Sequence, residues 1–398
     1  FGFRFPVQRF LLPLGISFYT LSAIGYMADV YWKKIEPEKN IAKLALFLSF
    51  FPIIMEGPIC MYSDTAETLT KGEDIRSENL VRGYMRIGWG LIKKVVIADR
   101  LYVVVQTLFD GYASYHGVMI VVAAVSYTVQ LYMEFSGCMD IVIGSAECFG
   151  VTLPENFAQP FVSKNASEFW RRWHISLGRW FKTYIFYPVS MSKLTKKWNR
   201  FAKKHTSKYV KLMVASAIAL FPVWVCNGLW HGASWSYLFY GMYYFVVIMI
   251  ELMLEPAMKK LGEAWKITEA TTWWNVLRIL KTWVIIFTGE LFFRADTLSI
   301  GIHMFASLFR DFELHRLWDG TLLTLGLGRV EIGIILASLL FVGVVNHFRE
   351  RKIDVRGVIL HKRLPVRWLV YLALIFVVII FGAYGPGYQE VDLIYAGF

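Results

Sequence analysis

Apolar runs follow one another along most of this chain. They lie near residues 10–32, 41–62, 84–109, 117–135, 210–230, 235–254, 278–293, 331–347 and 367–385. Each approaches the roughly 20 residues that cross a hydrocarbon core, and several are interrupted by Pro, Gly or a charge. The pattern predicts an all-α polytopic membrane protein of about eight to eleven helices, some tilted, re-entrant or horizontal. Such interruptions are tolerated at membrane depth only where protein or a watery cavity satisfies the freed backbone groups. No linker, low-complexity tract or internal repeat divides the chain, so residues 1–398 read as one membrane domain.

Composition agrees with this. Apolar residues make up 56% of the chain and charged ones 18%, against about 25% charged in a soluble domain; mean hydropathy is +0.46. The net charge of +12 would suggest nucleic acid in a soluble protein. Here the basic residues fall between apolar runs, densest from Lys193 to Lys211 and next from Arg349 to Arg367. By the positive-inside rule both clusters are expected on the cytoplasmic face, read as loops that set topology and touch anionic lipid. Docking of an anionic donor such as coenzyme A is the alternative use. The opening residues, with Arg4 and Arg9 around a Pro, do not form a signal peptide, and further residues are expected before Phe1. Cys60, Cys138, Cys148 and Cys226 have neither disulfide nor zinc spacing.

An ionisable group at membrane depth is a functional hypothesis by default. His231 ends the long run that begins near Val210. Asn227 lies one helical turn earlier on the same face, placed to fix the imidazole tautomer or to bind a carbonyl oxygen. Cys226, five residues away, points about 140° aside, which argues against a Cys-His pair. A desolvated, neutral imidazole can accept a proton from a hydroxyl. The second candidate is His174, in the basic aromatic segment Glu168–Phe181, where helical spacing predicts a single stripe of Trp170, His174, Leu177 and Phe181. A buried polar bridge is the plain structural alternative at both histidines. The remaining histidines, among them His116, His303 and His347, fall in polar loops or near span ends.

Leu229-Trp230-His231-Gly232-Ala233-Ser234-Trp235, together with the earlier Arg171-Arg172-Trp173-His174-Ile175-Ser176-Leu177, resembles the paired-histidine pattern of the membrane-bound O-acyltransferase (MBOAT) family. The likeness is closest to its alginate O-acetyltransferase branch. Pro13 to Thr20, Gly57-Pro58-Ile59, Phe135-Ser136-Gly137 with Asp140, Pro154-Glu155-Asn156-Phe157, Phe292-Phe293-Arg294-Ala295-Asp296 and Tyr384 to Tyr388 extend it over essentially the whole chain. Cys138-Met139 and Glu56 depart from that branch's usual residues.

The resemblance implies a bundle around a central tunnel, with His174 and His231 as the family's two histidines and His231 as the catalytic one. It implies acyl transfer, most readily of acetyl, from a cytosolic thioester such as acetyl-CoA, with no bound cofactor or metal. The acceptor is a cell-surface polysaccharide or peptidoglycan, reached with an extracytoplasmic partner acyltransferase, in a bacterial inner membrane. Within this reading His231 deprotonates the acceptor, and Asn227 or His174 polarises the thioester carbonyl or orients the base. Trp230, Trp173 and Trp170 form water-excluding walls. Arg171, Arg172 and Lys182 hold donor phosphates or serve as interfacial anchors, and Asp140 pairs with an Arg in the core. D-alanyl transfer to teichoic acid from a carrier-protein thioester is the alternative chemistry. A proton-coupled transporter is the alternative class, disfavoured by the absence of inverted repeats and of charges on several spans.

Overall fold

The computed structural model describes residues 15–54, 56–72, 76–268, 270–385, 388 and 391, and no strand occurs among them. The sequence features at Arg4, Arg9, Pro13, Leu14, Met55, Pro386 and Gly387 lie outside the described residues. The first described helix is Ile16–Tyr31 (α1). The run at 41–62 is not one span. It divides into Ile41–Ser49 and Phe51–Ile54, then passes irregularly through Gly57-Pro58 to Tyr62–Lys71. Phe50 leaves helical geometry at ψ 112, and Pro58 lacks the N–H a helix would use.

The next run is longer than its pattern suggested. Ser77–Leu91, the π-helical Ile92–Ala98 and Asp99–Asp110 follow without a break and are treated together as α2. It packs along Val118–Cys148 (α3). The two backbones approach closely where Gly90 faces Gly137: a Cβ on Gly137 would sit 2.8 Å from the Gly90 carbonyl oxygen. Across this interface the Arg86 Nε donates to Asp140 Oδ1 (2.8 Å), and the Lys93 ammonium donates to Asp140 Oδ2 (2.5 Å) and the Ser136 carbonyl (2.9 Å). Asp140 thus has the arginine expected for it, and a lysine besides. The π segment also lets Lys94 bridge Asp99 (2.7 Å) and Glu134 (3.3 Å) one turn and more along α3.

Two short helices, Ala166–Arg172 (α4) and Ile175–Phe181 (α5), lead to Lys193–His205 (α6). The remaining long helices are Lys208–Trp230 (α7), Trp235–Ala264 (α8), Thr272–Arg294 (α9), Arg329–Glu350 (α10) and Leu364–Phe381 (α11). By length and composition α3, α7, α8, α10 and α11 can cross a membrane. α2 and α9 are as long but bury charged groups, including Arg86, Lys93 and Glu290. The most apolar stretch of α3 is 72% buried and that of α11 not at all. α3 is therefore the central mast, and α11 turns its apolar side chains outward, where only lipid makes such exposure favourable.

Lys193–Lys211 is not a loop. α6 occupies most of it, capped at its start by the Ser192 side chain accepting from Thr195 N–H. Thr195 and Ala202 face the protein, whereas Leu194 and Phe201 are exposed beside the basic face. Short-range helical signals, a serine cap and apolar residues at positions i, i+4 and i+7 (Leu194, Trp198, Phe201), outweigh the dense like charge.

Candidate active site

His231 is the residue that ends α7. It caps the helix, Gly232 then turns the chain at φ 135, and the Ser234 side chain accepts from Ser236 N–H to open α8. A positive φ of that size suits glycine alone. Gly228, one turn back, meets the Tyr237 carbonyl so closely that any Cβ would stand 2.5 Å from it. The helical hairpin is thereby closed tightly at its tip, and the imidazole is held 4% exposed between Trp230 (ring centroids 4.8 Å apart), Phe293 (4.9 Å), Tyr240 (5.9 Å) and Tyr237 (6.1 Å).

His174 arrives from a different direction than its spacing predicted. The stripe Trp170–His174–Leu177–Phe181 does not exist, because the helix breaks between α4 and α5 and His174 takes left-handed geometry (φ 45, ψ 52). Asn156 causes the break. Its backbone carbonyl accepts from Ile175 N–H (3.0 Å), and its Oδ1 accepts from Ser176 N–H (3.0 Å) and Ser176 Oγ (2.9 Å), so it supplies the start of α5 from another segment. The same Oδ1 lies 3.2 Å from His174 Nδ1. A backbone N–H can only donate, so the atom facing Ser176 is an oxygen, and the His174 Nδ1 must be the protonated nitrogen. Its Nε2 then carries the lone pair.

The two imidazoles share Trp230 as a spacer: its ring centroid is 5.6 Å from His174 and 4.8 Å from His231. The Trp230 Nε1 donates to the Ser17 carbonyl on α1 (3.3 Å), which fixes the indole. Asn227 is buried one turn before His231, and its Oδ1 has no hydrogen-bond partner among the described residues. Trp170 packs on Trp224, Tyr244 and Tyr240, behind the His231 pocket. Trp173 packs on Phe157, Phe169 and Tyr132.

The basic residues separate. Arg172 donates to both Glu350 oxygens (2.9 and 3.0 Å) and pairs with Glu168, tying α4 to the end of α10. Arg171 is exposed, and Lys182 lies over the Tyr187 ring at 5.7 Å. Two groups near the site were missed. Asn156 stands 18 residues from His174, and nothing in local spacing links them. Tyr240 donates to the fully buried Glu290 (2.9 Å) beside His231; the signal was a carboxylate inside an apolar run. No group of three or more His, Cys, Asp or Glu among the described residues is arranged to hold a metal ion.

A cavity adjoins Asn156, the residue that meets His174. Arg86, Lys93, Asp140, Glu155, Asn156 and Arg349 line it together with Tyr132 and Phe157.

Comparison with known proteins gives one consistent answer. The membrane-bound O-acyltransferase family model matches residues 37–289. Probable alginate O-acetylase AlgI of Pseudomonas syringae is 32% identical over 88% of this chain and 62% of its own length. A peptidoglycan O-acetyltransferase of Helicobacter pylori is 29% identical over 74% of this chain and 56% of its own. A teichoic acid D-alanyltransferase of Bacillus subtilis is 28% identical over 72% and 70%. The chain spans less than two thirds of the length of the alginate relatives it matches best among these. With the helical architecture and the multi-pass apolar helices, the family model establishes that this chain belongs to the membrane-bound O-acyltransferase family.

Proposed function

We propose that this protein is a membrane O-acyltransferase that carries an acyl group, acetyl in the first instance, from a cytosolic thioester to a hydroxyl presented from the outer side. The acceptor would be a cell-surface polysaccharide or peptidoglycan in a bacterial inner membrane, with an extracytoplasmic transferase as the receiving partner. The observation that carries the reading is the pair of buried histidines either side of Trp230 at the tip of the α7–α8 hairpin. The greater identity to the acetylating relatives than to the alanylating one favours acetyl.

In this mechanism the neutral His231 imidazole takes the proton of the acceptor hydroxyl as its oxygen attacks the thioester carbonyl. A C–O bond forms, the tetrahedral intermediate collapses with cleavage of the C–S bond, and the departing thiolate receives the proton from the imidazolium. Asn227 on the same face donates its amide hydrogens to the developing oxyanion, a type of contact worth about 10²–10³ in rate when removed. His174, its Nδ1 proton committed to Asn156, presents Nε2 and acts as orienting group. The aromatic walls exclude water and so protect the thioester from hydrolysis. The test is release of free thiol from acetyl-CoA by the purified, membrane-reconstituted chain in the presence of a polysaccharide acceptor. Release that is absent from the wild type, or undiminished in a His231 variant, overturns the assignment.

A further inference from the structure

Three consecutive helices converge on the His231 imidazole. α7 leads into the histidine, α8 brings Tyr240 and α9 brings Phe293. Tyr240 and Phe293 each set a ring nearly perpendicular to the imidazole (87° and 88°), and they pack on one another with centroids 4.8 Å apart. Two walls of the pocket therefore move as one unit, and the imidazole rests against both.

Glu290 lies one turn before Phe293 on α9. It is fully buried, and its Oε1 accepts from the Tyr240 hydroxyl (2.9 Å). Lys281 and Arg294, cations of the same helix, pair with Glu251 and Asp296 instead. A carboxyl is not needed to join α8 to α9. Tyr243 already donates to the Ile285 carbonyl (2.8 Å), and Phe239 lies against Phe292 (centroids 4.5 Å). Tyr244 reaches α9 at Gly289, its hydroxyl so close that no Cβ would fit there. An ionisable group at membrane depth is costlier than an apolar side chain of the same volume. What the carboxyl does that an apolar side chain cannot is hold the Tyr240 hydroxyl.

We propose that Glu290 and Tyr240 are positioning residues for His231. The carboxyl anchors the tyrosine ring, and that ring, with Phe293, keeps the imidazole turned toward the acceptor hydroxyl. Neither residue touches the reacting atoms. A displacement of about 1 Å at a reacting group can lower a rate about 10²-fold, and side chains hold a site to that tolerance when packing and hydrogen bonds lock their own rotamers. The mounting behind Tyr240 is stiff. Gly241 meets the Trp224 carbonyl with no room for a Cβ, and Trp170 packs on Tyr240 (6.2 Å) and Tyr244 (4.8 Å). The inference rests on His231 being the base of the acyl transfer.

The experiment measures thiol release from acetyl-CoA with a polysaccharide acceptor, together with melting temperature, on the intact reconstituted protein. Tyr240→Phe, Glu290→Leu, the two combined, and Glu290→Gln are compared with wild type. The double variant replaces both partners with apolar groups of similar shape, a change that leaves stability nearly unaltered or raises it. It is expected to melt no lower than wild type yet to lose about tenfold or more in kcat, with KM little changed. If Glu290 acts through Tyr240, each single variant loses about as much as the double, so the losses do not add. Glu290→Gln, whose amide oxygen still accepts from Tyr240, is expected to recover most of that loss. Wild-type kcat in the double variant would reduce the pair to a helix fastener and overturn the proposal; so would a double variant that melts well below wild type. Additive single losses, a loss confined to KM, or a Gln variant as slow as the Leu variant would overturn it too. A wild-type protein that consumes no acetyl-CoA overturns the acyl-transfer reading itself.

Discussion

His231 sits among rings, not in open water, and this changes what its removal does. His231→Ala would open a void between Trp230, Phe293 and Tyr240, and such truncations cost about 2–4 kcal/mol. His231→Gln keeps most of the volume and a polar head but cannot act as a base. Both variants are expected to lose at least about 10²-fold in transfer rate, with the Gln variant recovered from membranes at the wild-type level and the Ala variant melting lower. Equal thermal stability with retained turnover in the Gln variant would remove His231 from the mechanism. At His174 the backbone makes a separate demand. Its φ of 45 is one that Gly, and among other residues Asn, Asp and His, adopt more readily than Ala, so His174→Asn should fold at least as well as His174→Ala. If His174 only orients, both lose less activity than His231→Gln. The place of His231 at a helix end was legible in the sequence because a lone imidazole ends an apolar run. The orientation of His174 was not, since it depends on Asn156 reaching in from a separate loop to start a helix.

At the scale of elements, the pattern located the long helices well because a 20-residue apolar run leaves few alternatives at membrane depth. It failed where local stereochemistry governs: the break at Phe50 and Pro58, the π segment Ile92–Ala98, and the helix hidden in the Lys193–Lys211 cluster. The α2–α3 contact shows what patterning misses, since it rests on glycines that let two backbones meet and a buried Arg86–Asp140–Lys93 bridge between them. A Cβ on Gly90 would meet the Gly137 carbonyl at 2.5 Å, whereas one at Gly333 meets nothing within 4 Å. Gly90→Val should therefore cost about 1–3 kcal/mol by overpacking, read as a lower melting temperature in detergent. Gly333→Ala should raise it slightly through helix propensity. A Gly90→Val protein as stable as wild type would mean that the two helices are not held at this distance. Asp140→Ala should be worse than either, about 3–5 kcal/mol, because it strands the buried Lys93 ammonium and leaves Arg86 with Glu155 alone.

Across the whole molecule, sidedness decides which face meets the donor. α7 has 23 residues and rises about 35 Å, enough to cross a hydrocarbon core of about 30 Å. One end follows α6, whose basic face adjoins exposed Leu194 and Phe201. That three-sided helix, with one side on protein, one apolar and one charged, fits the edge of a bilayer with its lysines toward anionic headgroups. The other end is the Gly232-Ala233-Ser234 turn beside His231. The positive-inside rule predicts a cytoplasmic α6, and the length of α7 then predicts Ala233 on the outer side. Both positions are exposed, whereas Cys60, Cys138 and Cys148 are buried and Cys226 partly so, so a single introduced cysteine can be read against little background. In intact cells a membrane-impermeant maleimide should label Ala233→Cys directly and Lys203→Cys only after permeabilisation. Reversed labelling would turn the molecule over, putting the Arg86–Arg349 cavity outside and the histidine turn inside. The donor side of the proposed acyl transfer would reverse with it, because the histidine turn and not the α6 end would then face a cytosolic thioester.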